Sequence, residues 1–325
     1  MLDDQPLLVV ELEAGDDVPA PLPPWLPCVV VAVARHRPAA VAPAGVDVAL
    51  CAGDGGPVPS GWVEVADPDG ELQGLCARIT AAAKPSVLLA QLLRVSAERD
   101  VGEGLLIESL VYSVLQSGPA FSSWLAERRR TAPTVRDEPG PPVLVTREGE
   151  QLTITLNRPH VRNAVNSRLR DALGEALLLA GAGPTHERVA LRGAGPDFSS
   201  GGDLDEFGSF PDPVSAHVIR STRSPARLLA GLGERVTAYL HGACVGAGIE
   251  LAAFARTVVA APDTRCSLPE TSLGLVPGSG GTVSLPLRIG RHRAAWLSLS
   301  GETIDVETAA RWGLVDEILS EPEPR

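Results

Sequence analysis

The fold is decided by residues 235–282, which read RVTAYLHGACVGAGIELAAFARTVVAAPDTRCSLPETSLGLVPGSGGT. An apolar strand is predicted at Val236 to Leu240, followed by a glycine-rich turn and a short helix from about Glu250. A second strand over Thr257 to Ala261 leads into a loop that carries Glu270. The pattern therefore predicts two glutamates on opposite sides of one strand, with a turn of glycines beside them.

This glycine turn is suited to hold a negatively charged oxygen. Gly and Ala let a ligand approach the backbone closely, and the following helix presents free N–H groups and the positive end of its dipole. Paired carboxylates that face one ligand can divide acid and base roles. Ordinary interpretations also exist: Glu250 can simply complement the helix dipole, and Glu270 can be a solvated loop charge. A dinucleotide site is not indicated, because GACVGAG does not fit GxGxxG.

Five motifs occur along the second half of the chain. They are ITLNRPHVRNAV at 154–165, FSSGGDLDEF at 198–207, HGACVGAGIELA at 241–252, SLPETSLGLVPGSGGT at 267–282 and ETIDVETAARWGLVDEIL at 302–319. In type and order they resemble the enoyl-CoA hydratase/isomerase (crotonase) family over about residues 143–319. Repeated strand-strand-helix and strand-helix units predict a layered α/β architecture. The resemblance implies, more specifically, the crotonase ββα superhelix and a homo-oligomer, either a trimer or a hexamer.

The resemblance also implies a reaction on an acyl-CoA thioester. The backbone N–H groups of Gly202 and Ala247 would form an oxyanion hole; position 247 is commonly Gly in the family, and Ala keeps the N–H. Glu270 would exchange a proton at the α-carbon, and Glu250 would orient and activate a water. Both glutamates are present, which favours an enoyl-CoA hydratase. An isomerase, which needs a single base, and a non-catalytic subunit of an acyl-CoA enzyme complex are the alternatives.

Candidates for binding coenzyme A lie in NRPHVRNAV. Arg158, His160 and Arg162 could hold its phosphates, since the Arg guanidinium offers a fork of donors, and ordinary surface charge explains them equally well. By resemblance, the segment at Ala164 can meet the adenine with its backbone. Coenzyme A is part of the substrate, and no separate cofactor and no metal are implied. A serine nucleophile is not supported, because the chain lacks a GxSxG motif.

The first part of the chain is set apart by RRRTAPTVRDEPGPP at 128–142, whose composition predicts a linker. We therefore expect an N-terminal unit at 1–127 and a catalytic core at 143–325. The helical segment at about 61–127 resembles the tail that follows GLVDEIL in crotonases. We predict a shortened crotonase-like repeat whose helices cover the core; a small α/β domain that closes on itself is the alternative. Strands are predicted at Leu7 to Leu12, Cys28 to Ala34 and Val46 to Ala52, and an apolar helical stripe at Ile107, Leu110, Val111, Val114 and Leu115.

Composition bounds the remaining possibilities. With 325 residues, of which 44% are hydrophobic, the chain can bury a sizeable core. A net charge of -12 argues against nucleic acid as a partner. The five cysteines show no CxxC spacing, the amino end is acidic and unlike a signal peptide, and no run of apolar residues is long enough for a membrane span. We therefore expect a cytoplasmic protein that does not associate with membranes.

Overall fold

The protein is represented by a computed structural model, which describes residues 5–13, 20–53, 58–97, 99–129, 139–184 and 186–320. Its first sheet has four parallel strands that pair in sequence order. The strands are β1 (Leu7–Glu11), β2 (Val29–Ala34), β3 (Val48–Ala52) and β4 (Val63–Val65). Four helices follow: α1 (Pro68–Ala81), α2 (Ala83–Ser96), α3 (Val101–Gln116) and α4 (Pro119–Arg129). The three predicted strands are thus present, each within a residue or two of its expected bounds.

Among the described residues, two further sheets and seven α-helices form the second part of the chain. Their strands are β5 (Val143–Glu148), β6 (Gln151–Leu156), β7 (Arg188–Gly193), β8 (Val236–Leu240), β9 (Ala243–Val245), β10 (Thr257–Ala260), β11 (Arg265–Ser267), β12 (Ile304–Asp305) and β13 (Glu317–Ile318). Their helices are α5 (Ser167–Ala182), α6 (Pro213–Thr222), α7 (Pro225–Leu232), α8 (Ala247–Ala252), α9 (Gly281–Ile289), α10 (Arg291–Ser300) and α11 (Val306–Trp312). The larger sheet has the order β13-β10-β8-β7-β6-β5, and the smaller one β12-β11-β9.

Local sequence explains how the larger sheet begins. Strands β5 and β6 form an antiparallel hairpin that turns at Gly149, which has φ 57°. Asn166 caps helix α5 by accepting a hydrogen bond from the N–H of Leu169 at 2.9 Å. The remaining pairs in this sheet are parallel and are joined through helices. The layered α/β architecture is therefore confirmed.

The two parts of the chain share one apolar core. Helix α10 packs against β3 and against helices α1 and α2, so that Leu297 and Leu299 lie in the same cluster as Val31 and Leu50. A polar contact also joins the two parts of the chain: the Arg293 side chain donates to the Trp62 carbonyl at 3.0 Å. The sheet of the N-terminal unit is thus closed by a helix from the second part of the chain.

Helix α3 packs against α6, α7 and α9 of the second part, although not through the whole apolar stripe that the sequence suggests. Leu110 and Val114 are 48% and 61% exposed, whereas Glu108, which the stripe leaves out, is 2% exposed. The helix is therefore rotated so that a glutamate faces the protein interior.

The predicted linker at 128–142 lies largely outside the described residues. None of the described helices is long and apolar enough to cross a membrane.

Asp47 is expected to be critical for stability, because its carboxylate is 1% exposed and joins both parts of the chain. It accepts hydrogen bonds from Nε of Arg94 of α2 at 2.8 Å and from the guanidinium of Arg291 of α10 at 3.2 Å. Asp47→Ala leaves two guanidinium groups without their anion, which typically costs about 3 to 5 kcal/mol. Urea unfolding measures the loss. Asp69→Ala, which removes an exposed partner of Arg35, is the control and should have little effect.

Candidate active site

A cavity of about 390 Å³ lies where helix α3 covers the second part of the chain. Its lining includes all four residues predicted for the chemistry, namely Gly202, Ala247, Glu250 and Glu270. The N-terminal unit also contributes to the wall, through Gly102, Leu105, Leu106, Glu108, Ser109, Tyr112 and Gln116 of α3. The structure therefore brings the predicted acid, base and backbone donors to one place, and adds side chains from a helix that lies more than 85 residues earlier in sequence than any of them.

Glu250 is held in the cavity wall by backbone donors. It lies in α8, a helix that begins at Ala247 rather than at the predicted Glu250, and it is only 1% exposed. Its Oε2 atom accepts hydrogen bonds from the N–H groups of Ser279 and Gly281, at 2.7 and 2.9 Å. Burial, followed by the negative charges of neighbouring glutamates, raises the pKa of Glu250 well above its ordinary value, and the two backbone N–H groups oppose that rise.

Glu270 begins a short 3-10 turn and has a different environment. Its Oε2 atom is buried and has no hydrogen-bond partner among the residues that the structure describes. Burial raises the pKa of Glu270 to about 7, and the negative charge of Glu108 adds to the rise. Gly246, with φ 48°, lies so close that a Cβ atom there would overlap Oε1 of Glu270. Glycine therefore lets the turn approach this carboxylate.

The backbone donors Gly202 and Ala247 belong to two loops that pair with each other. Ser199 donates to the Ala243 carbonyl at 3.1 Å, and Val245 donates back to the Ser199 carbonyl at 3.0 Å. Within the described part of the chain, neither the Gly202 N–H nor the Ala247 N–H has a hydrogen-bond acceptor. Ala247 is the first residue of α8, where a helical N–H has no partner within the helix. Both donors remain available to a ligand in the cavity.

The four residues predicted to bind coenzyme A lie outside the cavity lining and divide into two groups. Arg158 is 2% exposed, forms an ion pair with Asp203 at 3.0 Å and donates to the Ala164 carbonyl. A guanidinium in this position is not accessible to a phosphate, so it orders the loop beside Gly202. His160 and Arg162 are exposed, and Arg162 lies 3.5 Å from the Asp197 carboxylate.

Ala164 is buried, with its N–H bonded to the Val161 carbonyl, and it immediately precedes the residues of this segment that do line the cavity. In the part of the chain that the structure describes, no group of His, Cys, Asp and Glu side chains has the arrangement of a metal site.

Glu108 and Tyr112 were not predicted as site residues. Glu108 accepts hydrogen bonds from residues that directly flank the donors of Glu250, and the Tyr112 ring packs against the Gly278 backbone. A signal exists in the sequence: Gly104, Glu108, Val111 and Leu115 recur at helical spacing, which places a glutamate in phase with apolar residues.

Known proteins match the second part of the chain, which contributes Gly202, Ala247, Glu250 and Glu270 to the cavity. The profile of the enoyl-CoA hydratase/isomerase family matches residues 147–323. The chain is 35% identical over 178 residues to 2,3-dehydroadipyl-CoA hydratase of Escherichia coli (strain K12), covering 54% of this chain and 68% of that protein. It is 34% identical over 175 residues to 1,2-epoxyphenylacetyl-CoA isomerase of the same organism, covering 52% and 66%.

Solved structures give a consistent result. The enoyl-CoA hydratase from Thermoplasma volcanium GSS1 is similar with a TM-score of 0.52 and 34% sequence identity, covering 56% of this chain and 73% of that one. The chain thus spans about two thirds of the length of the curated relatives described above. Little more than half of the chain takes part in these matches.

Replacing Glu270 by Gln is expected to change how stability depends on pH. Folding raises the pKa of Glu270 from 4.5 to about 7, so the native state holds a proton that the unfolded state releases, and stability falls as pH rises between these values. Gln does not titrate. The free energy of unfolding of Glu270→Gln, relative to the native chain, should therefore increase between pH 4.5 and pH 8 in urea titrations. Glu175→Gln, on an exposed position of α5, is the control, and a constant difference for Glu270→Gln would contradict the expectation.

Proposed function

Because the chain belongs to the enoyl-CoA hydratase/isomerase family, we propose that it adds water to the double bond of a 2-enoyl-CoA thioester. The observation that carries this proposal is that Glu250 and Glu270 line one cavity together with the N–H groups of Gly202 and Ala247. Moving a double bond needs one base, whereas hydration requires that a water be activated and that a proton reach the α-carbon. Two carboxylates supply groups for both tasks.

The thioester carbonyl would accept hydrogen bonds from Gly202 and Ala247. These donors stabilise the negative charge that develops on the carbonyl oxygen as the enolate forms, and removal of one such donor typically lowers the rate by about two to three powers of ten. Gly201 supports this geometry, because it has φ 89° and its Cα lies against the backbone of Val245. The close contact of the two loops would keep both N–H groups near one thioester carbonyl.

The two glutamates would hold one water between them and act at different atoms. Glu250, fixed by two backbone N–H groups, orients and activates the water for attack at the β-carbon. Glu270 exchanges the proton at the α-carbon. A pKa of about 7 suits this role, since a carboxyl that titrates near neutral pH can both give and accept a proton.

Coenzyme A phosphates would lie toward the exposed His160 and Arg162, and Arg158 would order the loop beneath them.

An enoyl-CoA isomerase is the second candidate, because the matching family includes isomerases and one similar protein is named a putative enoyl-CoA hydratase/isomerase. An isomerase would act through one carboxylate and would tolerate the loss of the other. The third interpretation, a non-catalytic subunit that binds acyl-CoA, predicts binding without turnover. The variants that follow separate these possibilities.

Hydration of crotonyl-CoA, followed by loss of the absorbance of the conjugated thioester, is the decisive measurement. Glu250→Gln and Glu270→Gln are each expected to lower kcat by about two powers of ten or more, because each removes an acid or base group. The exposed Glu175→Gln variant is the matched control. Turnover that survives Glu250→Gln but not Glu270→Gln would favour the isomerase; thioester binding without turnover in the native chain would favour the subunit.

The oxyanion assignment is tested by Ala247→Pro. Proline lacks the N–H and is tolerated at the first position of a helix, where Ala247 lies, so α8 should remain intact. We expect kcat to fall by about two to three powers of ten. Circular dichroism and the thermal midpoint, compared with those of the native chain, report whether the fold is retained. A folded Ala247→Pro variant with native turnover would contradict a role for this N–H.

A further inference from the structure

Four successive backbone N–H groups at the start of α9 donate alternately to two glutamates. Within residues 279–282, the first and third N–H groups donate to Glu250 at 2.7 and 2.9 Å. The second and fourth donate to Glu108 at 2.7 and 3.0 Å. The hydroxyl of the fourth residue, Thr282, adds a further bond to Glu108 at 2.6 Å. One backbone turn therefore holds two carboxylates, and the position of each depends on the same four residues.

Glu108 is brought to this turn by a closely docked helix. A Cβ atom at Gly104, one turn before Glu108 in α3, would lie 2.8 Å from the Val283 side chain, and one at Gly278 would overlap the Tyr112 ring. Both glycines thus permit an approach that a larger residue would block. The result is a carboxylate from the N-terminal unit, with both oxygens bonded, beside Glu250 of α8.

Capping a helix with a buried glutamate costs free energy, because the carboxylate loses its hydration. A Ser, Thr or Asp at the N-cap position satisfies the same N–H groups without burying a long side chain, and here the N-cap is Gly280. Burial raises the pKa of Glu108 to about 7, against the opposing effect of its hydrogen bonds to residues 280 and 282 and of the positive charge on Arg220. A simple cap does not explain why this cost is incurred next to the catalytic candidates.

The charged and titratable groups around Glu108 come from every element packed against it. Arg220 of α6 lies over the Tyr112 ring, 4.5 Å from its centroid, and donates to Gln116 at 3.0 Å and to Ser113 of α3. Glu250 of α8 and Glu270 of the 3-10 turn face it from the core, and the charge on Glu108 acts on both of them. Among the described residues, the groups that act together with Glu108 are thus two further glutamates, the Tyr112 phenol and the Arg220 guanidinium.

We propose that Glu108 is a positioning residue of this site, whose carboxylate fixes the backbone of residues 279–282 so that Glu250 is held at the reacting water. Its charge acts in addition on Glu250 and Glu270. The proposal rests on the proposed function, and it makes the N-terminal unit a contributor to catalysis, because Glu108 belongs to α3. It acts through Glu250, because its oxygens accept hydrogen bonds from residues 280 and 282, which alternate with the donors of Glu250.

The experiment compares Glu108→Gln with Glu108→Asp in crotonyl-CoA hydration. Glu108→Gln loses the charge and one acceptor, so kcat should fall about tenfold or more, with KM changed less than kcat. Since the charge on Glu108 raises the pKa of both other glutamates, its removal should move the acid limb of the kcat/KM profile to lower pH, by roughly one unit. Glu108→Asp shortens the side chain but keeps the charge, so kcat should fall while the acid limb stays nearer its native position.

Ser113→Ala is the matched control for helix docking. Ser113 lies on α3 and bonds to Arg220 and to the Pro213 carbonyl, but not to residues 279–282. If docking alone matters, Ser113→Ala and Glu108→Gln will lower the thermal midpoint and kcat together and leave the pH profile unchanged. That outcome would overturn the proposal.

A second measurement keeps this test independent of turnover. In the native chain and in Glu108→Gln, the side-chain carboxyl carbons of glutamate are titrated by ¹³C NMR, with Glu270→Gln used to assign the resonance of Glu270. Glu108→Gln should lower the apparent pKa of Glu270, whether or not crotonyl-CoA is hydrated. Absence of turnover in the native chain, with this shift present, would contradict the hydratase and leave the coupling intact. An unchanged titration of Glu270 would contradict the action of Glu108, whatever the activity.

Discussion

The site depends on how buried carboxylates are compensated. Moving an ionised carboxylate out of water costs several kcal/mol unless hydrogen bonds or opposite charges replace its hydration. Glu250 and Glu108 obtain that replacement from the consecutive N–H groups of residues 279–282, at the positive end of the α9 dipole. Glu270 obtains it only in part: a hydrogen bond with its own backbone favours the charged form, but its Oε2 atom has no partner among the described residues. The three carboxylates are thus chemically different although they lie in one cavity.

This constraint connects the two parts of the chain. The turn at 279–282 must present alternate N–H groups to opposite sides, which requires one carboxylate from α8 and another from α3. Helix α3 reaches the turn because the N-terminal unit is anchored elsewhere, through α10 and the buried charges of Asp47, Arg94 and Arg291. The packing of α3 against α6, α7 and α9 then holds Glu108 at the turn, which is what a positioning role needs.

The sequence predicted those features that local pattern controls. The strand at Val236–Leu240 and the glycine turn before Glu250 each follow from residue types within a few positions. Glu250 and Glu270 were accessible because their motifs resemble those of a family. Glu108 has no such motif, and its burial follows from the rotation of α3, which is set by contacts about 170 residues later in the chain.

The burial of Arg158 could not be predicted from the sequence for the same reason. An arginine next to Pro159 reads as a surface charge, and its role changes only when Asp203 and the Ala164 carbonyl are known to surround it. The division of the chain at 128–142 stays a prediction, since most of that segment lies outside the described residues. The oligomeric state also stays a prediction.

Coupling among the glutamates explains how a cavity lined by several carboxyl groups could support the proposed hydration near neutral pH. Carboxylates that share a poorly hydrated site cannot all ionise together, so their protons leave in steps that belong to the group and not to one residue. Burial alone would protonate all three, but the backbone N–H groups favour the charged forms of Glu250 and Glu108. Glu270 lacks such donors on Oε2, and burial raises its pKa to about 7, so near neutral pH it can both hold and release a proton. In the proposed hydration this is the proton that the α-carbon receives, so the missing hydrogen bonds suit this carboxyl to proton transfer.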